Sequence, residues 1–216
     1  MAVLIFANGE CELGEWLRPH LAQATVLIAA DGGTYHLLKL GLRPHLIIGD
    51  LDSLDPAVQA ELEQAGVEIR RHPRDKDETD LELALLHAAA AYPEQPILIV
   101  GGFGGRLDQA LANILLLAHP GLRGRDVQLV DAKQRAWLVY DQATITGEPG
   151  DTVSFIPLAG DVHIRQTTGL KWQLRDEWLH FGPARGVSNV LLGTTAQVQV
   201  AEGVLLCVHI RQDADL

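Results

Sequence analysis

Six short runs rich in valine, isoleucine and leucine punctuate the first 132 residues: Val3–Ala7, Thr25–Ala30, His45–Ile48, Val67–Arg70, Pro96–Val100 and Val127–Val130. Several are apolar throughout, the pattern of strands buried on both faces of a parallel sheet. The stretches between them read as helices with marked ends. Asp55-Pro56 sets an N-cap aspartate before a proline at the first helical position. Thr79-Asp80-Leu81-Glu82 is a capping box ahead of Leu83, Leu86 and Ala90. Gly41 follows Leu37–Leu40 as a C-cap glycine. Strand–helix alternation of this kind specifies an open α/β sheet.

From Arg135 the alternation stops. Ala136–Tyr140, Ala143–Thr146, Thr152–Pro157, Val162–Gln166, Ala196–Val200 and Val204–Ile210 read as strands, separated by turn residues at Gly147–Gly150, Ala159–Asp161 and Glu202-Gly203. Only Lys171–Leu179 has the spacing of an amphipathic helix. The sequence therefore predicts an α/β domain over residues 1–132 and an all-β domain over 133–216.

Charge and cysteine content narrow the function classes. Seventeen basic residues face 28 acidic ones, a net charge of −11, which argues against a nucleic-acid binder because a polyanion needs a basic face. Ten of the basic and 19 of the acidic residues fall in 1–132, so the acidic excess belongs to the α/β part. Cys11 and Cys207 form no CxxC pair, and two cysteines make no disulfide framework, which suits a reduced, cytoplasmic location. The apolar start, Val3–Ala7, has strand length and no basic segment before it, unlike a signal peptide. No run reaches the ~18–20 apolar residues of a membrane span, so no membrane partner is expected.

Ligands of open α/β sheets bind beyond the carboxyl ends of the strands, and four unusual segments fall at such ends. Asp31-Gly32-Gly33 joins a strand to a helix, with glycines that allow close backbone approach and a helix N-terminus that attracts anions. In Gly49-Asp50-Leu51-Asp52-Ser53, an extended backbone would point Asp50 and Asp52 the same way, and two adjacent carboxylates call for a hard cation such as Mg2+. Arg74-Asp75-Lys76-Asp77-Glu78-Thr79-Asp80 mixes cations suited to phosphate with carboxylates suited to a metal. Gly101-Gly-Phe-Gly-Gly105-Arg106-Leu107-Asp108-Gln109 is neither GxGxxG, having Leu107 where glycine is required, nor a P-loop. Its amides and the Arg106 guanidinium still suit phosphate oxygens.

The order DGG, GDLDS, KDETD, GGFGGRLDQ resembles the thiamine pyrophosphokinase family. The resemblance extends through Thr167-Thr-Gly-Leu-Lys-Trp172-Gln-Leu174, Gly186-Val-Ser188-Asn189 and Gly203-Val-Leu-Leu206, and so covers nearly the whole chain. Two positions depart from the family pattern: Gln109, where histidine is frequent, and Val190, where a polar residue is common. The resemblance implies an N-terminal α/β domain, a C-terminal antiparallel β-sandwich, and a homodimer with the thiamine site at the subunit interface. It implies Mg2+-dependent transfer of a pyrophosphoryl group from ATP to the thiamine hydroxyl, with AMP leaving.

On this resemblance Asp50, Asp52 and Asp80 are the metal ligands, with Asp77 beside them, and Arg106 and Lys76 hold phosphate oxygens. Asp31, Gly32, Gly33, Thr79, Gly102, Gly104 and Gly105 shape the nucleotide pocket, joined by Asn8-Gly9 after the first strand. Asp108 binds substrate or takes the hydroxyl proton. Trp172 stacks on the cationic thiazolium, and Ser188 and Asn189 bond the aminopyrimidine. Two other readings share these carboxylates: a pyrophosphokinase for another alcohol, such as a hydroxymethylpterin, and a non-catalytic nucleotide or Mg2+ sensor.

Overall fold

The computed structural model describes residues 1–212 and forms two compact units, Met1–Ala132 and the chain from Lys133 onward. In the first unit the elements follow as β1 (Ala2–Phe6), α1 (Arg18–Gln23), β2 (Ala24–Ala30), α2 (Thr34–Lys39), β3 (Leu46–Gly49), α3 (Pro56–Gln64), β4 (Glu68–Arg71), α4 (Asp80–Ala91), β5 (Ile97–Val100), α5 (Leu107–Leu116) and β6 (Val127–Val130). Its six strands are all parallel, in the order β6-β5-β1-β2-β3-β4. Central β1 is buried at every residue, as its continuous Ala-Val-Leu-Ile-Phe run requires. Edge strand β4 is charged at Glu68, Arg70 and Arg71, which discourages pairing with another chain.

Helix ends form as their residues dictate. Asp55 accepts from Ala57 N at 2.7 Å to cap α3, and Thr79 Oγ1 accepts from Glu82 N at 3.2 Å to cap α4. Gly41 sits at φ +70° after α2, with Leu42 N bonded to Leu37 O and Gly41 N to Leu38 O, a Schellman closure.

The second unit contains β7 (Gln134–Val139), β8 (Gln142–Thr146), β9 (Thr152–Pro157), β10 (Val162–Thr168), β11 (Arg175–Leu179), β12 (Asn189–Val190), β13 (Thr195–Glu202) and β14 (Leu205–Ile210). Two antiparallel layers, β12-β9-β14-β7 and β11-β10-β13-β8, enclose one core. Phe155 and Cys207 of the first layer and Ile164 and Val198 of the second lie fully inside it. Lys171–Leu179 corrects the sequence reading: it is not a helix. Lys171–Leu174 is a loop fastened by Leu174 N to Thr167 Oγ1 at 2.9 Å, and Arg175–Leu179 pairs with β10 as β11. The open edge of β10 and the core position filled by Leu179 decided the outcome over local spacing. Among the described residues no helix is long and apolar enough to cross a membrane.

A buried carboxylate–imidazole hydrogen bond ties the last strand to the turn before β9. Asp151 Oδ2 lies 2.7 Å from His209 Nε2, and the same carboxylate accepts from Glu148 N and Gln212 N. Burial pushes the His209 pKa down, aided by Arg135 and Arg211. Burial would raise Asp151, but its two backbone donors and His209 outweigh that and hold it below the usual range. Both groups take up protons less readily folded than unfolded. Stability is therefore full above the ordinary histidine value, falls as pH drops below about 6.5, and falls again below the carboxylate range near 4. His209→Gln is expected to remove the first of these losses, as measured by urea unfolding between pH 7.5 and 5.

Candidate active site

Strand order reverses at β1: the chain steps outward to β2, β3 and β4 on one side, then returns to β5 and β6 on the other. A crevice opens at such a reversal, beyond the strands' carboxyl ends. Two loops meet there. Ala7 N bonds Val100 O at 2.8 Å and Gly9 N bonds Gly101 O at 3.0 Å, so the loop after β1 lies on the loop after β5. This contact requires bare backbone. A Cβ on Gly9 would stand 2.3 Å from Gly101 O, and one on Gly104 1.9 Å from Glu10 O.

The Asp31-Gly32-Gly33 turn is pressed against β1 in the same way. A Cβ on Gly33 would stand 1.9 Å from Phe6 O, and one on Gly32 2.4 Å from Asn8 Oδ1. Asp31 is forced to φ +45°, a left-handed conformation uncommon for a residue with a side chain. The residue is 5% exposed, and its Oδ1 has no hydrogen-bond partner. Burial raises its pKa against hydrogen bonds from Ser53 and the Gly32 amide, and the charges of Asp80 and Asp50 push it further up.

Asp50 and Asp52 do converge, but not through extended backbone. Leu51 takes φ +66°, and Asp52 N donates to Asp50 Oδ1 at 3.0 Å, so a tight turn brings the carboxylates together. Leu51 persists in this conformation because its side chain is packed into the core with Leu54 and Leu62. One carboxylate oxygen from each of Asp31, Asp50 and Asp52 falls within 4.8 Å of the others. Gly49 lets a fourth carboxylate near, since a Cβ there would meet Asp31 Cβ at 2.9 Å and Asp80 Cγ at 3.1 Å.

Lys76 answers this negative charge. Its Nζ lies 2.9 Å from Asp80 Oδ1 and 3.9 Å from Asp50 Oδ2. Burial opposes the ammonium charge, but Asp80, Asp50 and Asp31 together raise its pKa. A cavity of about 590 Å3 opens over these groups. Asp31, Asp52, Lys76, Thr79, Asp80, Gly104, Gly105 and Arg106 line it, together with Asn8 and Gly9. Oxygen-only donors beside a lysine and an arginine suit a hard divalent cation and a polyphosphate.

In the second unit, Trp172 is 55% exposed, with Lys171 Nζ 4.7 Å from its ring centroid. Asn189 is buried. Its Oδ1 accepts from Trp172 N at 3.0 Å and Val190 N at 2.9 Å, and its Nδ2 donates to Trp172 O at 2.6 Å. Asn189 therefore holds the Trp172 backbone. Ser188 stands at φ +60°, with its N–H given to Ser154 Oγ at 3.0 Å.

The thiamin pyrophosphokinase catalytic-domain family matches residues 17–129, and the thiamin pyrophosphokinase vitamin B1 binding-domain family matches 142–205. The chain belongs to the thiamin pyrophosphokinase family. It is thereby an enzyme with two family domains. It is 31% identical to the thiamine pyrophosphokinase of Bacillus subtilis over 95% of this chain and 96% of that one. The crystal structure of thiamine pyrophosphokinase from Bacillus subtilis superposes with a TM-score of 0.86 at 29% identity, covering 100% of both chains. That of thiamin pyrophosphokinase from Geobacillus thermodenitrificans superposes at 0.84 and 28% identity, again over 100% of both.

Some sequence candidates, Asp50, Gly32 and Gly33 among them, lie away from the cavity wall. Asp77 is exposed in the loop before α4. Gly102 faces the interior, where a Cβ would meet Leu129 Cδ2 at 2.3 Å. Asp108 is exposed and forms a two-pronged pair with Arg106, Nε to Oδ1 at 3.0 Å and Nη2 to Oδ2 at 2.5 Å. That hydrogen bonding lowers the Asp108 pKa and raises that of Arg106. Sequence reasoning overlooked Glu10, Ser53 and Asn113 on the wall, and it gave Asp31 no place in the acidic cluster. The i, i+4 spacing of Gln109 and Asn113 after the glycine turn was a usable signal for the latter.

Because Asp31 has a raised pKa, its charged form is less favourable folded than unfolded, and stability falls as pH rises through that window. Asp31→Asn removes the charge. In metal-free buffer at pH 7.5 its Tm is expected to rise, by about 2–4 °C per ~1 kcal/mol for a chain of this size, read by calorimetry.

Proposed function

We propose that this enzyme transfers the β,γ-pyrophosphoryl group of ATP to the hydroxyl of thiamine, giving thiamine diphosphate and AMP. The observation that carries the reading is the cluster of Asp31, Asp50 and Asp52, of which Asp31 and Asp52 line one cavity with Lys76 and Arg106. The thiamine hydroxyl oxygen bonds to the β-phosphorus, the bond from that phosphorus to the α,β-bridging oxygen breaks, and the hydroxyl proton passes to solvent. Such transfer depends on positioning and charge stabilisation more than on covalent chemistry.

The residues fit a resident Mg2+: the donors are all oxygen, and Asp31 Oδ1 is buried without a partner. Asp50, Asp52 and Asp80 would hold it with Asp31 added, and the ion would neutralise triphosphate charge. Lys76 and Arg106 hold phosphate oxygens. The bare backbone of Gly104 and Gly105 lets the triphosphate approach, while Gly32, Gly33 and Gly102 shape the pocket by permitting close packing behind it. Asp108, kept acidic by Arg106, orients that guanidinium and is a poor proton acceptor.

Thiamine is assigned to the all-β domain. Exposed Trp172 offers a face to the thiazolium, and Lys171 already demonstrates that a cation can sit over it. The vitamin B1 binding-domain match over 142–205 favours this alcohol over a pterin, and the intact Asp50, Asp52 and Arg106 favour catalysis over sensing. The homodimer belongs to the same reading. Leu107, Leu111 and Leu115 form an exposed apolar stripe along α5, directly after Arg106, and a second copy of the chain is the partner proposed for it. A cytoplasmic location accords with Cys11 and Cys207 both being free thiols.

Phosphorus NMR of the protein with ATP, Mg2+ and thiamine tests the reaction. AMP and a new diphosphate ester are expected, both dependent on thiamine, whereas ADP would refute pyrophosphoryl transfer. Asp52→Asn should lower kcat on the order of 10²–10³-fold without lowering the Tm. Trp172→Ala should raise the thiamine KM roughly tenfold and leave the ATP KM near wild type. Leu111→Glu should shift the sedimentation coefficient from dimer to monomer.

A further inference from the structure

Helix α2 begins where the Asp31-Gly32-Gly33 turn ends, and two consecutive residues of its first turn reach apart. Tyr35 Oη accepts a hydrogen bond from Asp55 N at 2.9 Å. Asp55 closes the loop that carries Asp50 and Asp52, and its own carboxylate caps α3. His36 Nε2 lies 2.9 Å from Gly9 O, on the loop after β1. Successive side chains on an α-helix diverge by about 100°, so one short helix can touch loops on two sides. Neither residue lies on the cavity wall, and neither belongs to the reacting set.

The chemistry of each bond is specific. A carbonyl only accepts, so His36 Nε2 carries the proton, and Nδ1 is buried with no partner. The Gly9 residue is gripped at both polar groups, its N–H by Gly101 O at 3.0 Å and its C=O by His36. No side chain could replace hydrogen at Gly9 without striking Gly101 O and Gly104 O, so the loop has one seat, and His36 holds it there. On the other side, the acidic loop contains a left-handed Leu51, which lasts only where its surroundings dictate it. Tyr35 supplies one of those fixed points by receiving Asp55 N.

We propose that Tyr35 and His36 are positioning residues with separate duties: Tyr35 sets the carboxylate loop that holds the divalent cation, and His36 sets the Asn8–Glu10 loop that faces the nucleotide. This rests on the nucleotide- and metal-binding reading given above. The helix that follows the diglycine turn thus keeps the two halves of the site in register, acting through Asp55 N and Gly9 O.

The test uses the full-length protein and reads each half separately. Tyr35→Phe should weaken Mn2+ binding to the protein alone, read by electron paramagnetic resonance, roughly three- to tenfold. Its ATP KM at saturating Mg2+ should stay within twofold of wild type. His36→Ala should raise the ATP KM roughly three- to tenfold and leave Mn2+ binding unchanged. His36→Gln, whose amide can donate from a similar place, should restore most of the loss. Long-range proton–nitrogen NMR should show His36 as the Nε2–H tautomer. Equal changes in both measurements for both variants, or no rescue by glutamine, would overturn the proposal and leave α2 as packing. An Nδ1–H tautomer would do the same. If the wild-type protein binds neither Mn2+ nor ATP, the reading of the site itself fails, and the division of duties fails with it.

Discussion

Like charges held close together need a reason to stay there, and in this protein four carboxylates are held close. Three of them offer oxygens within 4.8 Å of one another, close enough for like charges to repel. Asp31 is buried as well, and its pKa is raised in consequence. One lysine, bonded to Asp80 and near Asp50, offsets part of this. The surrounding structure supplies the rest, through a left-handed Leu51 anchored in the core and an Asp31 bent to φ +45° by the turn beneath it. Strain and repulsion gathered in one place accord with the preorganised cation site proposed above.

Bare backbone is the second requirement, and it follows from the first. The acidic turn can approach β1 only because Gly32 and Gly33 carry no side chains, and the opposing loops can interlock only because Gly9, Gly101 and Gly104 carry none. Glycines read in the sequence as a phosphate cradle prove, in several cases, to be contacts between loops. Gly104 and Gly105 border the cavity, whereas Gly102 and Gly33 face inward. Both uses rely on a missing Cβ, and spacing along the chain does not distinguish them.

The all-β unit shows the same division between residue type and residue task. Trp172, read from the resemblance as the thiamine-stacking residue, stands exposed. Asn189, expected at the pyrimidine, has its carbonyl and one N–H engaged by the backbone of Trp172 and Val190. Its short side chain suits either task, and only its burial against the Trp172 loop reveals which bonds it makes. The Lys171–Leu179 stretch was misread because pairing with the neighbouring strand β10 and burial of Leu179 in the core outweigh its local spacing.

Much was determined by local chemistry that needs no tertiary partner. Continuous apolar runs produced a parallel sheet, because strands covered on both faces have no polar side to show. Asp55-Pro56, Thr79 and Gly41 set helix ends through bonds that span a few residues. The order of four motifs pointed to the family. What only the tertiary structure decided was proximity. Asp31 joins the acidic cluster because β2 and β3 are neighbours in the sheet, and Asn8 and Gly9 share a cavity with Arg106 because β1 and β5 are neighbours. Tyr35 and His36 acquire their partners from loops before and after them in the chain. Contacts of that kind depend on strand order and on sub-ångström clearances between backbones, and neither is written in the residues on one side of the contact alone.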